Sequence, residues 1–366
     1  MTTRRDCLLA VAGAATAALA APLAIPLARA APKRLKLLLL GGTGFLGPHQ
    51  INEALQRGHR VTMFNRGVSA AGLYGDRVEL LRGNRDSRID AGLTALAGKR
   101  RWDVVIDNSG YLPRHVRDSA ELLRGRCDQY IYVSTVAVYD GAKAEEFNED
   151  SALLQMADPT LEVENGQTYG PLKAQCERLL RETLGARCTI VRPTFVFGPG
   201  DDTDRFTYWI ERMARGGDVL APPYADRELQ WVDARDLCPW IIRLAERRVR
   251  GTFNAAGPEV PTNWGEVLES LRIADGPPAR LHWSTPELLA ELKVDLPLVG
   301  MRRKARRVVS DGAQREGLAY RPLADTVQAT REWWGGLPEA RRAAPQGWPS
   351  AELEQRAIAA LSAAKS

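Results

Sequence analysis

From Leu35 onward, short apolar runs alternate with segments in which apolar residues recur every three or four positions. The first run, Leu35–Leu40, is almost wholly aliphatic, as expected of a strand that is buried on both faces. Segments such as His49–Arg57 and Arg114–Leu123 have helical spacing and separate the runs. The further predicted strands are Arg60–Phe64, Val78–Leu81, Trp102–Asp107, Gln129–Ser134 and Cys188–Arg192. This alternation predicts an α/β protein, with a Rossmann-type doubly wound parallel sheet over residues 33–197.

The pattern changes after Gly198–Asp201, where it becomes irregular and richer in Pro, Trp and Arg. Such a segment is typical of a smaller lobe that binds a variable ligand, and we predict a C-terminal α/β substrate-binding lobe over residues 198–337. Gly251–Asn254 has the pattern of a strand that returns to the sheet, so the two lobes are predicted to be interleaved along the chain. Residues 338–366 are rich in Ala, Arg and Glu and predict a helical tail.

Residues 1–30 have the features of an export signal peptide. Arg4 and Arg5 precede an alanine- and leucine-rich stretch, and Ala28-Arg29-Ala30 has the small-x-small form of a cleavage site. Adjacent arginines favour the bacterial twin-arginine route, which carries folded proteins. We therefore predict a periplasmic protein that has no membrane span after cleavage. An uncleaved membrane anchor and a disordered tail are the alternatives.

The composition, 45% hydrophobic and 26% charged, is that of an ordinary globular protein. The net charge of +5 is small for 366 residues and gives little support to nucleic-acid binding. Beyond the N-terminal segment, the cysteines are widely spaced without a CxxC pair, and the histidines are scattered singly. No metal site is therefore predicted.

A glycine-rich turn directly follows the first predicted strand and precedes a helix. In a Rossmann fold, glycines at this place let backbone amides approach a pyrophosphate at the N-terminus of the helix. The context makes a purely structural turn the less favoured alternative. The predicted cofactor-binding residues of this turn are Gly41, Thr43, Gly44, Phe45, Leu46 and Gly47.

The end of the second strand should distinguish NAD from NADP, because an acidic residue there would hold the ribose 2′-hydroxyl and repel a 2′-phosphate. The chain has Asn65 and Arg66 at this place. A guanidinium without a carboxylate favours NADP, although NAD and a solvated Arg66 stay open. Asn84 and Asp86 are predicted to hydrogen-bond the adenine, with a plain turn as the alternative.

Tyr169 and Lys173 stand four residues apart at a predicted helix start, since Pro171 between them is tolerated only in a first helical turn. Residues at this spacing share one face of a helix. A nearby cation and a helix N-terminus both favour the phenolate and bring the pKa of a tyrosine toward the range useful for proton exchange. We predict an acid/base pair, although the same spacing also occurs on solvated helices.

Four markers in this order resemble the extended short-chain dehydrogenase/reductase family, also called NAD-dependent epimerase/dehydratase proteins, from about Leu35 to Leu318. They are the glycine turn, Val133–Tyr139, the Tyr169/Lys173 pair and Val191–Gly200. The resemblance implies that Tyr169 takes the proton of a substrate carbinol while hydride passes to the nicotinamide, and that Thr135 aligns the same oxygen. It also implies that Lys173 binds the nicotinamide ribose and lowers the pKa of Tyr169. Thr135 could instead bond a neighbouring backbone group.

The resemblance extends to further positions around the cofactor and the substrate. It implies that the cofactor is lined by Asn108, Ser109, Gly110, Pro193, Phe195 and Val196. Similar sugar-nucleotide dehydratases carry an Asp-Glu pair where this chain has Val136 and Ala137, so dehydration is disfavoured.

Arginines and aromatic residues of the second lobe suit a sugar or a phosphate-bearing ligand. The predicted substrate-binding residues are Ser134, Thr135, Arg205, Tyr208, Arg227 and Gln230. Surface arginines and core aromatics are the plain alternative. The basic run Arg302–Arg307 predicts a solvated face, with an anionic ligand or a membrane surface as the alternative.

The sequence therefore predicts an exported NAD(P)-dependent oxidoreductase or epimerase that acts on a hydroxyl/keto pair of a sugar-like or nucleotide-sugar substrate. The expected partners are this small molecule and, in a homodimer, a second copy of the chain. The chain also resembles the chloroplast stem-loop-binding proteins. A cofactor-binding, RNA-binding or sensing protein without turnover is thus the alternative. The low net charge and the export signal argue against RNA, and the intact Thr135, Tyr169 and Lys173 argue for catalysis.

Overall fold

The structure is a computed structural model that describes residues 33–68, 72–273, 276–303 and 305–363. The predicted export signal, with Arg4 and Arg5, lies outside these residues. Within them, no helix is long and apolar enough to cross a membrane. The four cysteines found there are free and buried, and no group of three potential metal-binding side chains occurs in the same part of the chain.

Strands and helices alternate along the first half of the chain, and helices predominate toward its end. The strands are β1 Lys36–Leu40, β2 Arg60–Asn65, β3 Glu79–Arg82, β4 Trp102–Asp107, β5 Cys127–Val133, β6 Glu146–Phe147, β7 Cys188–Pro193, β8 Phe195–Phe197, β9 Gly217–Ala221, β10 Trp231–Asp233, β11 Gly251–Ala255, β12 Ala279–Trp283 and β13 Arg307–Val308. The α-helices are α1 Leu46–Gln56, α2 Pro113–Leu123, α3 Tyr169–Leu184, α4 Arg205–Arg215, α5 Ala234–Arg247, α6 Trp264–Ser270, α7 Pro286–Glu291, α8 Asp311–Arg315, α9 Leu323–Gly335, α10 Glu339–Arg342 and α11 Ala351–Ala363.

A seven-stranded parallel sheet forms the centre of the fold, in the order β11-β7-β5-β4-β1-β2-β3. The predicted Rossmann-type fold is thereby confirmed, and each predicted strand lies in this sheet with its ends within two residues of the prediction. β1 is buried along Leu37–Leu40, as its aliphatic composition requires. The strand order reverses between β1 and β4, and ligands of open α/β sheets bind at the carboxyl ends of strands at such a point.

The later part of the chain builds a second apolar core around α4, β9, β12 and the helices that follow. The tail helix α11 packs against β9, where the Glu354 carboxylate accepts hydrogen bonds from Arg212 Nε at 2.8 and 2.9 Å and from the Leu220 amide at 3.0 Å. β11 returns to pair with β7 at the edge of the central sheet. The predicted lobe boundaries remain predictions.

Candidate active site

The glycine turn between β1 and α1 is as tight as the sequence predicts. Gly41 has a φ of +82°, and a Cβ atom there would lie 2.8 Å from Cβ of Ser109. A Cβ at Gly47 would lie 2.4 Å from the carbonyl carbon of Gly42, so only glycine lets α1 approach the strand end this closely. Gly44 instead has open space around its Cβ direction. The turn therefore leaves a free backbone surface at the N-terminus of a helix, as a phosphate-binding turn requires.

Two cavities meet at this turn, with volumes of about 1150 Å³ and 420 Å³. Gly41, Ser109 and Tyr111 line both of them. The larger cavity extends over Thr135, Tyr169 and residues of the later part of the chain, whereas the smaller one lies over the ends of β2 and β3. The two adjoining cavities lie at the carboxyl edge of the sheet and are together called the groove.

Buried polar atoms in this groove lack partners within the described residues. Ser109 Oγ, at the junction of the two cavities, makes no hydrogen bond there. Arg85 lines the smaller cavity, and its Nη2 donates to Asp107 at 2.7 Å while Nε and Nη1 make no hydrogen bond. Because buried polar groups are normally paired, these atoms indicate a polar ligand. The open turn and the unpaired donors together fit a dinucleotide.

Lys173 lies one helical turn after Tyr169 and is almost completely buried. Its Nζ donates hydrogen bonds to the carbonyls of Val133, at 2.7 Å, and Gly110, at 3.0 Å. It also lies 4.2 Å from the centroid of the Tyr132 ring. Burial disfavours the cation and lowers the pKa of Lys173 to about 8.

Tyr169 begins α3, as predicted, and lines the larger cavity together with Thr135. Burial raises the pKa of Tyr169, and the neighbouring Thr135 side chain offsets this only in part. The expected lowering by Lys173 is therefore not found in this structure, because desolvation dominates and Lys173 is engaged by carbonyls. Thr135 also accepts a hydrogen bond from the Ala137 amide at 3.1 Å, which is the alternative foreseen for it.

The smaller cavity collects most of the residues predicted to select the cofactor. Asn65, Arg66 and Asn84 line it, and Asn65 Oδ1 accepts from the Gly67 amide at 2.8 Å. Asp86 is not among the lining residues. Its carboxylate is paired with Arg114 at 2.5 and 2.8 Å, which holds its pKa well below the usual range.

The remaining predicted cofactor residues lie around the junction of the cavities. Asn108 lines the larger cavity and donates from Nδ2 to the Gly41 carbonyl at 3.1 Å. The Gly110 carbonyl accepts hydrogen bonds from Tyr132 Oη, at 2.6 Å, and from Lys173 Nζ, so Gly110 helps to hold these two side chains in place. The predicted residues that also line the larger cavity are Gly44, Phe45, Leu46, Gly47, Pro193, Phe195 and Val196.

The predicted substrate-binding residues differ in how far they are available to a ligand. Arg205 and Arg227 line the larger cavity, and Arg205 lies 5.8 Å from the centroid of the Phe195 ring. Gln230 also lines it, but both ends of its amide bond the backbone of Val308, at 2.8 and 3.0 Å. Ser134 Oγ donates to Glu177 at 2.6 Å and is likewise committed to the protein.

The structure does not bring Tyr208 to the cavity. Its ring is 1% exposed and packs against Trp209 and Trp348 in the second core. Tyr208 lies on the same helix as Arg205, but its aromatic side chain faces the interior while the guanidinium at the helix start reaches the groove. Tyr208 is therefore an aromatic residue of the core, which was the alternative to a substrate-binding role.

Two arginines of the basic run contribute to the groove, although the sequence favoured a solvated face for that run. Arg302 and Arg306 line the larger cavity together with Arg205 and Arg227. Arg303, between them, lies instead against Asp226 at 3.0 Å.

Tyr111, which the sequence did not single out, lies between the cavities with its ring 6.4 Å from that of Tyr169. No local motif marks these positions, because distant segments bring them together.

Comparison with known proteins agrees with this arrangement. Residues 37–256 match the NAD dependent epimerase/dehydratase family, and the chain belongs to that family. It is 26% identical over 267 residues to the chloroplast stem-loop binding protein of 41 kDa b from Arabidopsis thaliana, over 69% of this chain and 67% of that protein.

Solved structures share the fold at low sequence identity. UDP-glucuronic acid 4-epimerase from Bacillus cereus, in complex with NAD, superposes with a TM-score of 0.58 at 17% identity, covering 81% of this chain and 96% of the epimerase. dTDP-glucose 4,6-dehydratase from Bacillus anthracis, also in complex with NAD, gives a TM-score of 0.61 at 14% identity, covering 84% and 98% of the two chains.

Proposed function

We propose that the protein is an NAD(P)-dependent oxidoreductase or epimerase that acts on a hydroxyl/keto pair of a sugar-like substrate, with Tyr169 as acid/base. The observation that carries this proposal is that Tyr169 and Thr135 line the larger cavity together, with the buried Lys173 one helical turn after Tyr169. Two hydroxyl groups placed together can both engage one substrate oxygen, since each both donates and accepts.

The roles of the residues follow from this geometry. Tyr169 would take the proton of the substrate carbinol and return it, while Thr135 holds the same oxygen. When bound, the nicotinamide supplies a hydride acceptor and donor. The raised pKa of Tyr169 favours the protonated phenol, which suits the half of the cycle in which a ketone is reduced. Lys173 would fix the end of β5 beside Tyr169 and bind the nicotinamide ribose.

The substrate that we propose is a nucleotide sugar. Four arginines converge on the larger cavity, namely Arg205, Arg227, Arg302 and Arg306. Guanidinium groups bind phosphate oxygens in a bidentate manner, so this end of the cavity suits a diphosphate. Two of the structural neighbours are named for UDP-glucuronic acid and dTDP-glucose. Epimerisation or simple oxidation is favoured over dehydration because Val136 and Ala137 supply no acid or base beside Thr135.

NADP is the proposed cofactor. Arg66 lines the smaller cavity, and the end of β2 carries no carboxylate that would repel a 2′-phosphate. The two structural neighbours named above are NAD complexes, so the alternative is NAD. We expect calorimetry to show tighter binding of NADP+ than of NAD+. The Arg66→Ala variant should bind the two cofactors with equal affinity. Equal affinities in the wild-type protein would contradict the NADP assignment while leaving the nicotinamide site intact.

We further propose export by the twin-arginine route, with the cofactor bound before export and retained afterwards. Outside the cytoplasm, no nicotinamide pool is expected to reload the enzyme. A reaction that returns the hydride to the same molecule, or to a second substrate, satisfies that condition. Net reduction by exchangeable NADPH does not.

A cofactor-binding protein without turnover is the second candidate, because the Arabidopsis relative is named as a stem-loop binding protein. The intact set of Thr135, Tyr169 and Lys173 favours catalysis instead. An RNA stem-loop that binds the protein unchanged after Tyr169→Phe, with no turnover of any nucleotide sugar, would support this second candidate.

The proposed function is tested by denaturing the purified native protein and measuring the mass and spectrum of what is released. Stoichiometric NADP(H) or NAD(H) is the expected result. A protein that neither releases a dinucleotide nor binds one when it is added would contradict the proposal.

A further inference from the structure

A loop over residues 155–168 connects the region after β6 to Tyr169, the first residue of α3. Two of its carboxylates, Glu162 and Glu164, line the smaller cavity. The loop therefore forms an outer wall of the part of the groove that fits the adenosine end of a dinucleotide. None of the cofactor-binding motifs of the sequence includes this wall.

One buried arginine fastens the loop to the body of the protein. Arg114 on α2 has a side chain only 7% exposed, and its Nε donates to both carboxylate oxygens of Glu162, at 2.9 and 3.1 Å. The other two nitrogens of the same guanidinium donate to Asp86, in the turn after β3. Arg114 thus joins the loop to the turn that carries Asn84, a lining residue of the smaller cavity.

The other end of the loop is attached to the catalytic helix. Thr168 Oγ1 donates to the Val163 carbonyl at 2.6 Å, and the Tyr169 amide donates to the Asn165 carbonyl at 2.9 Å. The C-terminal end of the loop is therefore hydrogen-bonded to the first residue of α3.

Little apolar packing opposes an opening of this loop. Leu161 and Val163 are 37% and 56% exposed. The fastening through Glu162 is partly exposed as well, since 36% of that side chain is accessible. Segments with few buried apolar contacts belong to the least stable parts of a fold and open locally.

We propose that residues 155–168 are a strap over the cofactor groove, fastened by the Glu162–Arg114 ion pair, and that release of this pair is the step through which the cofactor enters and leaves. This proposal rests on the proposed function, because it requires a dinucleotide in the groove. It gives the retention of the cofactor a structural cause, and it makes Glu162 and Arg114 positioning residues for the cofactor and for Tyr169.

The test compares two charge-removing substitutions in the same loop. Glu162→Gln keeps the shape of the side chain but removes the charge that Arg114 holds. Asp158→Asn is the matched control, since Asp158 bonds Thr160 within the loop and does not line the cavity. The wild-type protein and both variants are loaded with NADPH or NADH, and the release rate is followed by stopped-flow fluorescence after addition of excess oxidised cofactor.

We expect Glu162→Gln to release the cofactor about tenfold faster than the wild type, as loss of a charge-assisted hydrogen-bonded pair should allow. The Asp158→Asn rate and all three melting temperatures should stay the same. Added salt should accelerate release from the wild type more than from Glu162→Gln, because screening weakens the pair. Equal release rates in all three proteins would overturn the strap alone. A wild-type protein that binds no dinucleotide would overturn both this proposal and the proposed function.

Discussion

The two ends of the groove, the proposed cofactor end and the proposed substrate end, are built in different ways. The cofactor end is built mainly from short segments at the ends of β1, β2, β3 and β4, with the loop over residues 155–168 as a wall, whereas the arginines of the substrate end come from segments about a hundred residues apart in the chain, between Arg205 and Arg306. At the cofactor end, Gly41 and Gly47 are packed so closely that a side chain at either position would collide with its neighbours. At the substrate end, several arginines would bind the phosphates of one substrate together. Single substitutions should therefore have large effects at the first end and smaller effects at the second.

The largest expected effect is that of Tyr169→Phe. Loss of the acid/base should lower kcat on a nucleotide-sugar substrate by about 10²- to 10⁴-fold, the usual contribution of a general acid or base. Cofactor affinity should be unchanged, since the ring remains. Tyr208→Phe is the matched control, because that hydroxyl lies in the second core without a hydrogen-bond partner in the described residues. Equal losses of activity in both variants would contradict a specific role for Tyr169.

The next effect concerns the glycine turn. Gly47→Ala places a Cβ 2.4 Å from the Gly42 backbone, and we expect a loss of about 1–3 kcal/mol of unfolding free energy, as for other overpacked sites. Gly44→Ala should leave the stability unchanged, because nothing lies within 4 Å of its Cβ direction. Chemical denaturation measures both. A stable Gly47→Ala protein would show that α1 is free to move away from the strand end.

A smaller effect should appear as a pH dependence of stability. The pKa of Lys173 is about 8 in the folded protein against an ordinary value of 10.5. Between these values the unfolded chain binds a proton that the folded protein does not, so stability should rise with pH across this window. Relative to Lys173→Met, the unfolding free energy of the wild type should rise by about 3 kcal/mol from pH 8 to pH 10.5.

The control for this titration is Lys143→Met, since the Lys143 side chain is 65% exposed. Its stability should follow that of the wild type over the same pH range. If the unfolding free energy of the wild type rises with pH no more than that of Lys173→Met, then Lys173 keeps an ordinary pKa in the folded protein.

The smallest effect is expected at the substrate end. Arg302→Ala should raise KM for a nucleotide sugar about tenfold, or ~1.4 kcal/mol, with little change in kcat, because the other arginines retain part of the binding. Arg303→Ala should change neither constant, since Arg303 pairs with Asp226 outside the cavity. Similar KM values for both variants would exclude Arg302 from the substrate site.

The same contrast explains what could be predicted from the sequence. Strands such as Trp102–Asp107, the glycine turn and the helix start at Tyr169 are encoded by residues close together in the chain, and the structure has them at the predicted places. Local patterns of apolar residues, Gly and Pro determine such features, so the features can be predicted without knowledge of the rest of the fold.

The parts that sequence reasoning missed depend on distant contacts. Arg302 and Arg306 reach the cavity only through the folding of the later part of the chain. The sequence placed Tyr208 in the substrate site, but one helix can direct one residue toward a groove and a residue three positions later toward a core. The direction of the Tyr169 pKa shift depends on a balance between burial and a nearby charge. That balance is set by three-dimensional surroundings and cannot be derived from the four-residue spacing.

The central claim is that Tyr169 serves a hydride transfer that returns to the same substrate. It is tested most directly by incubating the cofactor-loaded protein with UDP- or dTDP-hexoses that carry deuterium on the carbinol carbon. We predict that the epimerised product keeps its deuterium, and that Tyr169→Phe forms this product about 10²- to 10⁴-fold more slowly. Loss of the label to solvent, or equal conversion by the Tyr169→Phe variant, would contradict the account.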